Sequence, residues 1–354
     1  LHSRESGHGL ACAAVTPLPS SQPSGRPPPR VIAVVGATTF FGEHLLGVLE
    51  EDPRVDRIVA VGEKTSPGAG AKTRSYELDV TQPGSEARWA EIFATEAIEA
   101  VVHVGFLQVP ATAAAWAHEY ESVGTMRVVV AARKASVGKF VGVSNTWLYG
   151  ALPSNPNFLD EKRDLRASRS EPFFADKIEA EAKMRERAEK SPETSVTILR
   201  FSPIVGSTID NIHTRWLSRS FVPTLLGHDP LFQFLHEIDA IAALKHALFR
   251  DVPGVYNIVG EGVVPLSLAI RLAGRTAIPL PRTLLRPLVS ALWLAELAEG
   301  SEAFLPYLRY LCVADGSKAA LAGFKRAYTS REALLDFGST QRLRDARQLQ
   351  EPRR

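Results

Sequence analysis

Val31-Ile32-Ala33-Val34-Val35-Gly36-Ala37-Thr38-Thr39-Phe40-Phe41-Gly42 is the stretch whose reading decides the fold. A run of β-branched and small apolar residues ends at Gly36, and a tight turn follows. Gly42 then opens a segment with Leu45, Leu46, Val48 and Leu49 at helical spacing. This is the sequence form of a strand, a phosphate-binding turn and a helix, the start of a dinucleotide-binding βαβ unit. Gly36 permits the turn and Gly42 lets the helix pack closely on the strand. Thr38, Thr39, Phe40 and Phe41, between them, would line the phosphates at the helix N-terminus. Thr39 holds the middle position, where a glycine usually lets backbone approach a pyrophosphate. A small backbone shift would accommodate it, with its hydroxyl donating to a phosphate.

Working outward, strand and helix patterns alternate. Strands are expected at Arg57 to Val61, Ser75 to Val80, Ala100 to Val104, Lys139 to Val143 and Val196 to Phe201. Helices are expected at Ala87 to Thr95, Val123 to Ala135 and Lys177 to Lys190. The fold class that follows is α/β, a doubly wound parallel sheet of Rossmann type with a smaller C-terminal substrate-covering part. After Gly206 the alternation weakens; a helix at Ile238 to Leu248 and a strand at Gly254 to Val259 return to the sheet. An apolar helical stretch from Leu266 to Leu297 follows, broken at Pro279, Pro281 and Pro287. The expected organisation is a Pro-rich disordered extension over 1–30 and a dinucleotide-binding part over 31–206 with 238–260 interleaved. A covering region over 207–237 and 261–340 and a solvated tail over 341–354 complete it.

Bulk properties narrow the function classes. The 354 residues are 45% apolar and 23% charged, and Lys+Arg 41 against Asp+Glu 39 leaves +2. Such a balance gives no field for nucleic acid. Two cysteines, Cys12 and Cys312, make neither a disulfide framework nor a metal cluster, so a reducing, cytoplasmic setting is expected. No apolar run reaches the roughly 18–20 residues of a membrane span. Gly9 to Val15 is a weak hydrophobic region without a cationic start beyond Arg4, which disfavours an export signal. Metal-ligand spacings and a Gly-x-Ser-x-Gly elbow are missing from the sequence, which leaves little for hydrolase or metalloenzyme readings.

In an open parallel sheet the ligand lies beyond the carboxyl ends of the strands. After the second strand stands Glu63, a carboxylate suited to the ribose hydroxyls of NAD; Lys64 or Arg74 could instead hold the 2′-phosphate of NADP. NAD is favoured, with NADP possible. Asp79 and Val80 could accept from the adenine amino group and pack on its ring. His103, Gly105 and Phe106 follow the fourth strand. His103 is expected to be a buried, hydrogen-bonded histidine at the cofactor crevice.

These residues resemble the extended short-chain dehydrogenase/reductases of the NAD-dependent epimerase/dehydratase type, over roughly Val31 to Phe337. The resemblance rests on the opening turn and on Asp79-Val80, Val102-His103-Val104-Gly105 and Gly124-Thr125. It extends through Ser144-Asn145-Thr146-Trp147-Leu148-Tyr149-Gly150, Leu199 to Gly206 with Pro203 behind the nicotinamide, and Phe234 to Ala240. It implies a nucleotide-sugar or related alcohol or ketone substrate and a homodimer formed through two long helices. In the family a Tyr stands four residues before a Lys, one helical turn apart, and the Tyr takes or gives the proton as hydride moves. Here Lys177 is present, Phe173 stands at the Tyr position, Asn145 at the serine position between Ser144 and Thr146, and Glu121 where an Asn is usual. Phenylalanine carries no exchangeable proton, and Asn145 can orient a carbonyl without being an acid or base.

Two readings follow. The first is an NAD(P)-dependent oxidoreductase with a non-standard proton relay through Tyr149, His103, His236 or the substrate itself. The second is a catalytically silent NAD(P)-binding or regulatory protein. A third, an assembly or membrane-peripheral module built on Leu284 to Leu297, is weaker because core packing explains that stretch. Arg215 and Arg219, four apart, could clamp a phosphate or form a solvated basic face. His213 and His228 could face a substrate phosphate.

Overall fold

The computed structural model describes residues 27–66 and 68–350. Most of the expected extension, and the end of the expected tail, lie outside them. Seven strands form one parallel sheet: β1 (Val31–Val35), β2 (Arg57–Gly62), β3 (Thr73–Glu77), β4 (Ala100–His103), β5 (Lys139–Asn145), β6 (Ser195–Phe201) and β7 (Gly254–Ile258). Their order is β7-β6-β5-β4-β1-β2-β3, so the chain reverses direction across the sheet between β1 and β4. Val31 pairs with Arg57 on one side, and Ile32 with Ala100 on the other. Ile32, Ala33, Val34, Val101, Val102, Phe140 and Val141 are fully buried because helices cover both faces of the sheet.

On these faces lie α1 (Phe40–Glu50), α2 (Ser85–Thr95), α3 (Ala114–His118), α4 (Gly124–Lys134) and α5 (Pro172–Lys190). The segment Glu119–Val123 joins α3 to α4 as a single wide π-turn without breaking the helix. Helix α5 starts at Pro172, whose missing N–H costs nothing at a first helical position. It therefore begins five residues earlier than the charge pattern suggested and places Phe173 and Lys177 on one face. Beyond β6 come α6 (Ile212–Ser218), α7 (Glu237–Phe249), α8 (Leu266–Leu272), α9 (Arg282–Leu294), α10 (Ser317–Leu321) and α11 (Ser330–Gln350). Among the described residues no helix is long and apolar enough to cross a membrane.

Three expectations are corrected. Thr276–Leu280 is a strand, paired in parallel with Phe221–Leu225, within the stretch expected to be helical with breaks at Pro279, Pro281 and Pro287. The third sheet strand ends at Glu77, so Asp79 and Val80 belong to the loop beyond it. The expected tail from 341 continues α11 to Gln350, anchored by buried Gln341 and by Asp345, which pairs with Arg275 at 2.6 Å.

Candidate active site

The turn after β1 is built as its glycines require. Gly36 has φ +86°, and a Cβ there would stand 2.4 Å from Gly105 Cα; one at Gly42 would stand 2.2 Å from the Gly36 carbonyl oxygen. Backbone from β1, β4 and α1 therefore meets more closely than side chains allow. Thr39 caps α1 from an extended conformation that any residue can adopt, φ −78° and ψ 163°. Its hydroxyl accepts from Gly42 N at 3.2 Å and donates toward the Gly36 carbonyl at 2.8 Å and that of Val104 at 3.2 Å. The expectation that this hydroxyl donates to a phosphate is thus corrected: its proton is committed within the turn. The amides of Phe40 and Phe41, in the first turn of α1, have no intrahelical acceptor by position and sit at the positive end of the helix.

Around this turn, Glu63 is exposed at the end of β2. Asp79 accepts from Thr81 N and Oγ1 at 2.8 and 2.6 Å, and Val80 packs over Gly124. Arg74 is spent on Glu96 at 3.1 Å, so it does not serve as the phosphate ligand its position suggested. Tyr120 enters from the π-turn beside Gly105. Burial first, then the carboxylates of Glu63, Glu121 and Asp79, hold its phenol above the usual range.

A narrow, half-open cleft lies beyond β5 and β6. Phe41, Phe106, Phe173, Lys177, Asn145 and Pro203 contribute to its wall. It thus joins much of the expected site: the start of α1, the loop after β4, the end of β5, the first turn of α5 and the segment after β6.

Its chemistry departs from expectation at Lys177. The ammonium is buried, donates to Glu121 Oε1 at 2.5 Å and to the Leu107 carbonyl at 2.8 Å, and sits 4.4 Å from the Phe173 ring centroid. Glu121 Oε1 also accepts from Leu107 N at 2.6 Å, while its Oε2 is buried without a partner. Burial raises the Glu121 pKa against the pull of Lys177. The lysine head group is therefore clamped between a carboxylate and a backbone carbonyl, beside a ring that can hold no proton.

The other proton carriers considered are already bonded within the fold. Ser144 Oγ donates to Glu181 Oε2 at 2.6 Å, inside a buried chain in which Arg200 grips Glu181 and donates to Tyr149 Oη at 2.7 Å. Tyr149 in turn donates to Asn257 Oδ1 at 2.8 Å. Tyr149 is thus a buried strut, and burial pushes its phenol up to about 12. His103 is 1% exposed, beneath the crevice floor instead of facing it. Thr125 Oγ1 donates to the Glu121 carbonyl at 2.6 Å, so His103 Nε2, 2.9 Å away, must carry the hydrogen. Burial pulls His103 down to about 3. His236 caps α7 by accepting from Ile238 N and stacks on Tyr328, away from the cleft. Asn145 differs: the residue lines the cleft, and its buried side-chain Oδ1 has no protein partner.

The remaining candidates separate cleanly. Arg215 pairs with Asp210 at 2.6 Å and Arg219 with Glu299 at 2.7 Å, so they form no clamp. His213 stands in the cleft wall against Trp147, its Nε2 buried without a partner, and burial lowers its pKa to about 3. His228 bonds the Leu226 carbonyl at the surface. Sequence reasoning noted Glu121 only as a departure from Asn; the Lys177 clamp depends on the π-turn, which leaves no pattern in composition. Phe304 and Tyr307, which pack on Phe174 and Trp147 from 130 or more residues away in the chain, gave no local signal either.

Comparison with known proteins is consistent with this geometry. The NAD dependent epimerase/dehydratase family matches residues 32–259. An uncharacterised protein of Mycobacterium bovis is 30% identical over 314 residues, 87% of this chain and 83% of its own. The UDP-glucose 4-epimerase of Thermotoga maritima, solved with UDP-glucose, superposes with TM-score 0.67 at 16% identity, covering 89% of this chain and 99% of its own. The Thermus thermophilus UDP-glucose 4-epimerase, solved with NAD, gives TM-score 0.67 at 16% identity over 88% and 99%. At such identities the likeness is one of fold.

Proposed function

The chain belongs to the NAD dependent epimerase/dehydratase family, and from that premise we propose that it binds NAD and serves as an epimerase/dehydratase-like oxidoreductase with a proton relay other than the family tyrosine. One observation carries the reading: the tight Gly36 turn, packed on Gly105, leads β1 directly into the N-terminus of α1, whose first-turn amides suit a pyrophosphate. The family match and the NAD of the Thermus thermophilus neighbour support it. Exposed Glu63 after β2 suits ribose hydroxyls, and the commitment of Arg74 to Glu96 favours NAD over NADP.

Bound NAD would supply the hydride acceptor or donor. The residues of the chain would orient the reacting oxygen through the Asn145 amide and hold the compensating proton on the Lys177–Glu121 pair. Lys177 stands beside the Phe173 ring, and the raised pKa of Glu121 suits a carboxylate that exchanges protons. The clamp itself favours a second reading, a silent NAD-binding protein, because a lysine held this way has lost part of its freedom to reach a ribose.

Titration of the full chain with NAD, NADH, NADP and NADPH tests the first step. We expect saturable NAD binding that Gly36→Val abolishes; no binding at millimolar ligand sinks both readings. Lys177→Ala separates them: loss of NADH formation with a panel of alcohols identifies an enzyme. In a silent binder the same change only weakens NAD affinity.

A further inference from the structure

Past Trp147 and His213, which line both spaces, the cleft adjoins a second, apolar-walled space beneath α9. Trp216, Leu285, Val289, Leu292 and Leu305 supply much of its wall. Its charged lining residues, Arg219 and Glu299, are bonded to each other, and Arg219 also donates to the Leu297 carbonyl at 2.9 Å. In the first cleft Lys177 is the charged lining residue, and Glu121 and Leu107 hold it. Arg215, on the neighbouring helix, is turned to Asp210. Every cationic side chain lining the two spaces therefore already has its counter-charge.

A diphosphate brings charge that must be met by charge-assisted donors when it leaves water, and breaking an existing pair to supply them costs several kcal/mol. An apolar surface placed against the same walls gains about 25 cal/mol for each Å² removed from water. The unpartnered polar atoms in these walls, Asn145 Oδ1 and His213 Nε2, carry no full charge: Oδ1 can accept from a hydroxyl, the Asn145 amide nitrogen can donate to a carbonyl, and burial keeps the imidazole neutral.

From this pairing of charges within apolar walls we infer that the double cavity takes a neutral, elongated, apolar alcohol or ketone, its body along Val289 and Leu292 and its oxygen toward Asn145, in place of a nucleotide sugar. Only the direction of the oxygen rests on the cofactor reading above.

The test uses the full chain with the neutral fluorophore N-phenyl-1-naphthylamine, with and without NAD, and with UDP-glucose as competitor. Saturable fluorescence enhancement is expected, unaffected by millimolar UDP-glucose. Val289→Phe and Ala298→Phe each fill the cavity from partly exposed positions around α9. Each should weaken fluorophore binding about tenfold, a loss of about 1.4 kcal/mol, while leaving NAD affinity unchanged. Absence of fluorophore binding, displacement by UDP-glucose, or unchanged affinity in both variants overturns the inference. Fluorophore binding without NAD binding overturns the cofactor reading and leaves this one standing.

Discussion

Lys177 and Glu121 concentrate at one point what distinguishes this chain. A buried ammonium and a buried carboxylate are tolerable together and costly apart, because whichever remains keeps its desolvation penalty without its partner. Glu121→Ala should therefore lower unfolding free energy by about 3–5 kcal/mol in denaturant titration, and the double change Glu121→Leu with Lys177→Met should recover most of that loss. An additive double variant would show that the pair is not coupled. Phe173 and Lys177 are legible in the sequence alone, since four-residue spacing on a helix places them on one face. Their relation to Glu121 is not, because it joins α5 to a π-turn 56 residues earlier through a contact that no local pattern encodes. Ser144 and Tyr149 show the converse: their positions are readable, while the hydrogen bonds that commit them require Glu181, Arg200 and Asn257 in place.

At the level of elements, the apolar runs that form β1, β2, β4, β5 and β6 are readable because strands covered on both faces are apolar almost throughout. Strand β3 is shifted from its expected place because its burial is partial and its sequence, Thr73–Glu77, is polar. Near α9 two of the three prolines interrupt the helix as expected and Pro287 does not. Pro279 sits in the short strand pairing with Phe221–Leu225, Pro281 caps the helix that follows, and Pro287 lies inside it. Tertiary pairing decides those states, not propensity. For α1 the cap is the decisive device. Thr39→Ala removes the acceptor for Gly42 N and should destabilise the protein by about 1 kcal/mol, whereas Thr39→Gly should cost only a few tenths, as thermal unfolding can measure. Equal losses in the two variants would assign the role of Thr39 to its contacts with the Gly36 and Val104 carbonyls instead.

For the whole molecule, acidity is the informative variable. His103 and His213 both have folded pKa values near 3 against an ordinary 6.5, because burial disfavours their charged forms. The unfolded chain then binds more protons than the folded one between those limits. The corresponding stability is present above pH 6.5 and is lost progressively as pH falls toward 3. His118 opposes this: its hydrogen bond to Asp176 raises its pKa, so its contribution is present below 6.5 and lost at higher pH. His246, also lowered by burial, acts with His103 and His213, while Glu121, raised by burial, acts with His118; the two fully buried imidazoles dominate. Urea midpoints should decline between pH 6.5 and 4.5, and His103→Gln should flatten the decline; a pH-independent midpoint would contradict the burial of these rings as neutral imidazoles.

The wide turn at Glu119–Val123 has a consequence for how insertions and deletions in this segment would act. It takes up one residue more than an α-helical turn, so α3 and α4 run on one axis but out of phase. Deleting a single residue there would bring the two into a common frame and rotate everything before it by about 100° relative to α4. Tyr120, Glu121 and the bond from His118 to Asp176 would then be carried off their partners together. The extra residue thus acts as a phase setting, and one codon separates the clamped lysine from a free one.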